Sequence, residues 1–321
     1  MSYFRFSVRK LLLLTTVVCL LVGTTGVELL RARRARLLLE RLTFFSSAYE
    51  SPWEPRQVFG QEVDDIPLVG FGAQYLGEPH LRFKPVYLTV DKPVTDDDLR
   101  QLSTLLPCKN LTLMDCTAVT EAGLLALCRM RELEELHLMN FQFSGGDLAS
   151  LKHAESLRAL MLKGQSCTDS ALSAIGQLDK VNRLELVETS VSHRGLRNLA
   201  DMEKLSWLFI SSSHVDDSMI DVIASMRKLQ CVDLCSVGLE DEHLTQLSGL
   251  PNLKYLQLYN NPITDDGLAA AQNMANLVWI DLRKTKVSGA AIGRSTRTHP
   301  HLEIDIHTET RFAEPRLKWE P

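Results

Sequence analysis

Pairs of apolar residues two positions apart return along this chain at a nearly constant interval. They are Leu88/Val90, Leu111/Leu113, Leu136/Leu138, Leu160/Leu162, Leu184/Leu186, Leu208/Ile210, Val232/Leu234, Leu256/Leu258, Ile280/Leu282 and Ile304/Ile306. The first members step by 23, then 25, then seven times by 24. A period of that length means a repeat array, in which no unit buries its own apolar face and each depends on its neighbours. Within each pair the alternation puts both apolar side chains on one side of a short strand and the residue between them on the other.

The remainder of each period also repeats. PVTDDDL ends at Leu99, AVTEAGL at Leu124, SVSHRGL at Leu196 and PITDDGL at Leu268. The Val or Ile of the phrase (Val94, Val119, Val191, Val215, Ile263, Val287) anchors a loop in the core. The Thr or Ser after it (Thr95, Thr120, Thr168, Ser192, Thr264, Ser288) is placed to cap a helix. The acid that follows (Asp96, Glu121, Asp169, Asp265) sits in the first helical turn, where the dipole favours negative charge. Leu124, Leu127 and Met130, or Leu268, Ala271 and Met274, then form a stripe at helical spacing. Three residues past each strand pair, Cys116, Thr189, Ser213, Asn261 and Thr285 offer small polar groups to the turning backbone. Phe141 and Val237 at that position predict less regular turns. One strand, one capped helix and one return loop fill 24 residues.

The LxxLxL head on a fixed period of 24 carries the leucine-rich repeat signature. It predicts an α/β solenoid, a right-handed horseshoe with a parallel concave sheet and convex helices. The repeats read as about nine units over 86–307, with an N-terminal cap at 46–85 and a polar tail at 308–321.

The amino terminus is of a different kind. Residues 11–27, LLLLTTVVCLLVGTTGV, carry no charge and span roughly 25 Å as a helix. The reading is a retained single-pass transmembrane anchor within 1–30. A cleaved secretory signal is the competing reading, but no A-x-A site follows. RARRARLLLERL continues as a basic juxtamembrane helix, 31–45, whose Arg31, Arg33, Arg34 and Arg36 are placed to meet anionic lipid headgroups. Three basic residues precede the span and five follow it, which puts the repeats in the cytoplasm. Seven cysteines, an odd number without a CxxC pair, argue for free thiols rather than a disulfide framework and point to the same compartment.

A net charge of -5 gives no reason to expect nucleic acid as partner. No GxSxG, GxxxxGK[ST], HExxH or GxGxxG occurs, so neither an enzyme nor a cofactor is expected. Cys231 with Cys235, and THPHLEIDIH with His299, His301, Asp305 and His307, are the only sequences that suggest metal ligands.

The residues beside and between the strand leucines form outward columns on the concave face. They gather Trp207, Phe209, Tyr255, Tyr259 and Trp279 beside Glu185, Asp233, Asp281 and Arg283. Large aromatics among charges mark a protein-recognition face, with the protein itself unidentified.

The consensus LxxLxLxxTxVTDxGLxxLxxL resembles the cysteine-containing subclass of leucine-rich repeats. FRFSVRKLLLLTTVVCLLVG followed by RARRAR resembles the start of a group of bacterial membrane-anchored leucine-rich repeat proteins. That resemblance covers essentially the whole chain and implies one membrane helix, a basic juxtamembrane helix and a repeat domain. It implies no particular partner. The 25-residue third repeat, FQFSGGDL in place of VTDxGL, and Ser295 where a leucine is usual depart from the pattern. The expected function is a membrane-anchored scaffold that binds protein through its concave face. The alternatives are a metal-dependent binder or enzyme using the acidic face, and a structural element that associates with copies of itself.

Overall fold

The computed structural model describes residues 87–306, apart from 107 and 144, together with eight helical positions between 30 and 41. These last belong to α1, within 30–41. The chain then alternates strand and helix. It runs through β1 (Tyr87–Val90), α2 (Asp96–Leu105), β2 (Asn110–Leu113), α3 (Glu121–Leu127), β3 (Glu135–Met139) and α4 (Gly145–Leu148). A 3-10 turn, Ala149–His153, leads to β4 (Ala159–Lys163), α5 (Asp169–Ile175), β5 (Arg183–Val187), α6 (His193–Arg197) and β6 (Trp207–Ser211). The series closes with α7 (Asp217–Ser225), β7 (Cys231–Asp233), α8 (Asp241–Leu247), β8 (Tyr255–Gln257), α9 (Asp265–Ala271), β9 (Trp279–Asp281), α10 (Gly289–Thr298) and β10 (Glu303–Asp305).

All ten strands form one parallel sheet in chain order, and the leucine pairs lie in register from strand to strand. The chain folds as a leucine-rich repeat solenoid. Neighbouring repeats share both a strand pair and a helix pair. Strands sit about 4.8 Å apart and packed helices about 9 Å apart, so the stack bends with the sheet on its inner side. Both members of each leucine pair from β2 to β9 are essentially without exposure and belong to one continuous core with the helical stripes.

The acid of the VTDxGL phrase does more than favour its own helix dipole. Asp96 reaches forward and accepts the Thr120 N–H (2.8 Å) and hydroxyl (2.6 Å) of the next repeat. Asp169 holds Ser192, Asp241 holds Thr264 and Asp265 holds Ser288 in the same two-point grip. Each helix cap is therefore clamped by its predecessor. The glycine follows from this: a Cβ on Gly123, Gly195 or Gly267 would lie 2.3–2.5 Å from the clamping Asp96, Asp169 or Asp241 Oδ1. Where His243 replaces the glycine, its Nε2 meets Asp217 at 3.0 Å and its Nδ1 accepts the Glu240 N–H.

Gly267→Ala is expected to cost about 2 kcal/mol although alanine favours helix, because the Cβ drives into Asp241, Ile263 and Leu244. Gly293→Ala, in α10 with nothing within 4 Å, is expected to stabilise by about 1 kcal/mol. Urea unfolding of both variants checks the opposite signs.

From β3 to β9, the second residue past each strand pair turns in the left-handed region: Asn140, Gly164, Glu188, Ser212, Ser236, Asn260 and Lys284. Only one is glycine, which is why the sequence shows no glycine signal there. The next residue is the polar one. Asn261 Oδ1 accepts the N–H groups of Val237, Gly238 and Leu239, and its Nδ2 donates to the Leu234 and Leu258 carbonyls. The Val237 turn thus stays regular, contrary to expectation, because the following repeat supplies the missing acceptor. Phe141 fills its turn with hydrocarbon, stacked on Phe143 at 4.6 Å. Ser295 is wholly buried and its hydroxyl has no partner among the described residues.

At the N-terminal end, α1 lies on the first repeat. Ala35 and Leu38 join the core, Arg31 donates to the Thr104 carbonyl and Arg41 pairs with Asp98. Arg33 and Arg34 are exposed, as are Leu30 and Leu37. Among the described residues no helix is long and apolar enough to cross a membrane. Residues 1–29, which hold the expected anchor, the expected cap at 46–85 and the tail at 308–321 lie outside the described residues, as does the side chain of Arg36.

Candidate functional site

Strands β6, β7 and β8 place nine outward side chains in a three-by-three grid. Trp207, Cys231 and Tyr255 share one row, and Phe209, Asp233 and Gln257 the next. Ser211, Cys235 and Tyr259 continue the columns just beyond. The middle column is small and acidic, and the columns on either side carry the rings. Trp207 and Tyr255 therefore lean together across Cys231, with centroids 6.3 Å apart and planes at 23°, and Trp207 also meets Phe209 at 6.2 Å. Trp207, Tyr255 and Tyr259 remain half-buried, whereas Phe209 and Trp279 are buried. Of the five expected aromatics, Trp207, Phe209 and Tyr255 are in ring contact, and Trp207, Tyr255 and Tyr259 are the ones partly open to solvent.

The charges on this face are largely paired within it. Arg183 bonds Glu185 at 2.6 Å and lies over the Phe209 ring at 5.0 Å. Arg283 grips Asp281 through Nε–Oδ1 (2.9 Å) and Nη2–Oδ2 (2.6 Å), and lies over Tyr259 at 5.5 Å. Hydrogen bonding to Asp281 holds the Arg283 pKa up. Glu185, Asp281 and Arg283 are consequently buried rather than displayed. Arg183 and Lys284, which lies over Tyr259 at 5.0 Å, join the group without having been singled out. The signal for Arg183 was present: Arg183/Glu185 and Asp281/Arg283 are opposite charges two apart on a strand, hence on one face.

Asp233 differs. It is 2% exposed and no arginine or lysine pairs with it among the described residues. Its Oδ1 accepts the Cys235 N–H at 2.9 Å. Burial pushes its pKa up to about 7, the Glu185 and Asp281 carboxylates add to the rise, and the Cys235 hydrogen bonds oppose it. Burial also raises the Tyr255 phenol.

No three His, Cys, Asp or Glu side chains converge as a metal site among the described residues. Asp305 lies 3.8 Å from Arg283, and His307 lies outside the described residues. The six described cysteines are free, and all but Cys128 are buried. Burial lifts Cys108, Cys116 and Cys167 to about 12 and Cys128 to about 11. Thiols shielded in this way survive in an oxidising space too, so they carry no weight for a compartment. A polar cleft lined by Gln165, Ser190, Ser192, Ser212 and His214 opens where His193 replaces the clamping acid.

No protein-family model matches the sequence, and no curated protein matches it. Among solved structures, internalin C2 of Listeria monocytogenes is 19% identical, with a TM-score of 0.40 over 63% of this chain and 80% of that one. An internalin (inlF) of the same organism is 16% identical, with a TM-score of 0.36 over 70% and 88%. A leucine-rich repeat protein of Leptospira interrogans is 17% identical, with a TM-score of 0.42 over 65% of this chain and 57% of that one.

Proposed function

We propose that this chain is a membrane-anchored scaffold whose concave sheet recognises a protein around Trp207, Tyr255 and Tyr259. The observation that carries this reading is the grid itself. Three large rings stay partly open to solvent on a rigid sheet, while the charges beside them are pinned by one another. Preordered aromatics of this kind lose little entropy on binding and dominate interface energetics. Trp279 is a supporting residue here, since its ring is 4% exposed.

Trp207→Ala combined with Tyr255→Ala is expected to abolish partner capture while the melting temperature falls by only a few degrees. Capture that persists in the double variant overturns the reading; calorimetry of the same preparation excludes unfolding as the cause of a loss.

The anchor is proposed from residues 11–30. The docking of α1 on the first repeat supports a solenoid held close to the bilayer, with Arg33, Arg34, Leu30 and Leu37 on the open side of that helix. The charge balance across the anchor supports a cytoplasmic side for the repeats. A C-terminal tag should then resist external protease on intact cells. Its removal under those conditions would place the repeats on the other side.

A further inference from the structure

The chain uses one arrangement twice on its concave face: an arginine held between a carboxylate and an aromatic ring. Arg183 sits between Glu185 and Phe209, and Arg283 between Asp281 and Tyr259. Asp233 has the other two elements. Its strand neighbours in register are Phe209 and Gln257, and the adjacent row holds Trp207 and Tyr255 across the small Cys231. What it lacks among the described residues is the cation.

We propose that Asp233 is the floor of a socket for one arginine side chain of the protein bound on the concave face. The inference rests on the concave-face reading and names the chemistry at its centre. A guanidinium suits the site better than an ammonium because its plane stacks on the rings while its N–H fork meets the carboxylate. Asp233 is 2% exposed, one row from the Trp207 and Tyr255 rings, so entry requires neighbouring side chains to change rotamer, an ordinary adjustment at interfaces. The groups on the columns around the carboxylate are Arg183 and Glu185 on β5, Cys231 on its own strand with Cys235 just past it, Tyr255 on β8 with Tyr259 just past it, and Asp281 on β9 with Arg283 just past it. Arg183 bonds Glu185 and Arg283 bonds Asp281. Burial is the main cause of the raised Asp233 pKa, and the Glu185 and Asp281 carboxylates add to it.

The test uses the full chain in detergent and two probes, N-acetyl-Gly-Arg-Gly-amide and its citrulline counterpart, which has the same shape and no charge. In ligand-observed NMR titrations at pH 8, the arginine peptide is expected to bind saturably and at least tenfold more tightly than the citrulline peptide. Asp233→Asn should weaken the arginine peptide at least tenfold, and lowering the pH from 8 to 6 should weaken it in the parent chain only. Thermal melts of Asp233→Asn show whether the variant is folded. Equal binding of the two peptides, unchanged binding by Asp233→Asn, or no saturable binding overturns the socket. If partner capture still depends on Trp207 and Tyr255 in that event, the concave-face reading stands without it.

Discussion

Asn261→Ala is expected to cost the repeat domain about 4 kcal/mol, a large share of a typical domain's stability. One side chain serves six backbone groups from two repeats: three N–H groups between Val237 and Leu239, and the carbonyls of Leu234, Leu258 and, at 3.5 Å, Tyr259. Each buried group left without a partner costs about 1–3 kcal/mol, and the losses overlap because the freed turn relaxes. Thr285 occupies the equivalent position two strands from the end and gives a single bond to the Leu282 carbonyl, at 2.6 Å. Thr285→Val should therefore cost only about 1 kcal/mol. Urea denaturation of the two variants checks the ratio. Hydrogen exchange on Asn261→Ala should show faster exchange beginning at 237–239, since those amides lose their acceptor. Equal costs for the two substitutions would mean that the asparagine is no special fastener.

Asp233→Asn is expected to act in the opposite direction, and its size should depend on pH. The carboxylate ionises near 3.8 in the unfolded chain and at about 7 when buried. The folded state keeps a proton that the unfolded state has released, so stability falls as pH climbs from about 4 to about 7 and is level above that. Asparagine preserves an acceptor for the Cys235 N–H and carries no charge. The variant should match the parent below pH 4 and exceed it by about 4 kcal/mol at pH 8, counting 1.36 kcal/mol for each unit of pKa. Chemical denaturation at pH 4, 6 and 8 measures this difference. A difference that is constant with pH would show that Asp233 has an ordinary pKa. A group that destabilises its own fold at neutral pH is the kind of residue retained for binding.

Much of the fold was legible because a solenoid states its rule ten times over. The leucine spacing gave the strands and their register, and the caps fell on Thr95, Thr120, Ser192, Thr264 and Ser288 as expected. Thr168 begins its helix without a side-chain cap bond, and Asp216 caps where no Ser or Thr was available. The clamp was less legible. An acid after a cap residue is fully explained by its own helix, and only the packed structure shows Asp241 bonded to Thr264 one repeat later. The glycine of the phrase becomes intelligible only then.

The site was legible in its membership and not in its exposure. Side-chain alternation on strands told which residues face out. It did not tell that a bidentate pair would bury Asp281 with Arg283, or that Arg183 would cover Phe209. The cover over Phe209 depends on which side chain stands in the next column, a distance of one period in sequence, and the Asp281–Arg283 pair depends on the rotamers of two residues on one column. The same pairing separates Asp233 from the other carboxylates, so the feature of greatest functional interest emerged only once its neighbours had been placed.

The most direct test of concave-face recognition is photo-crosslinking in the native cell, with benzoylphenylalanine placed at Tyr255 and, separately, at Leu125. Leu125 is 41% exposed on α3, on the helix side of the solenoid. Position 255 should give a discrete adduct that disappears when Trp207→Ala is added, and position 125 should give none. An adduct from 125 alone, or one from 255 that is indifferent to Trp207→Ala, would contradict recognition by this face.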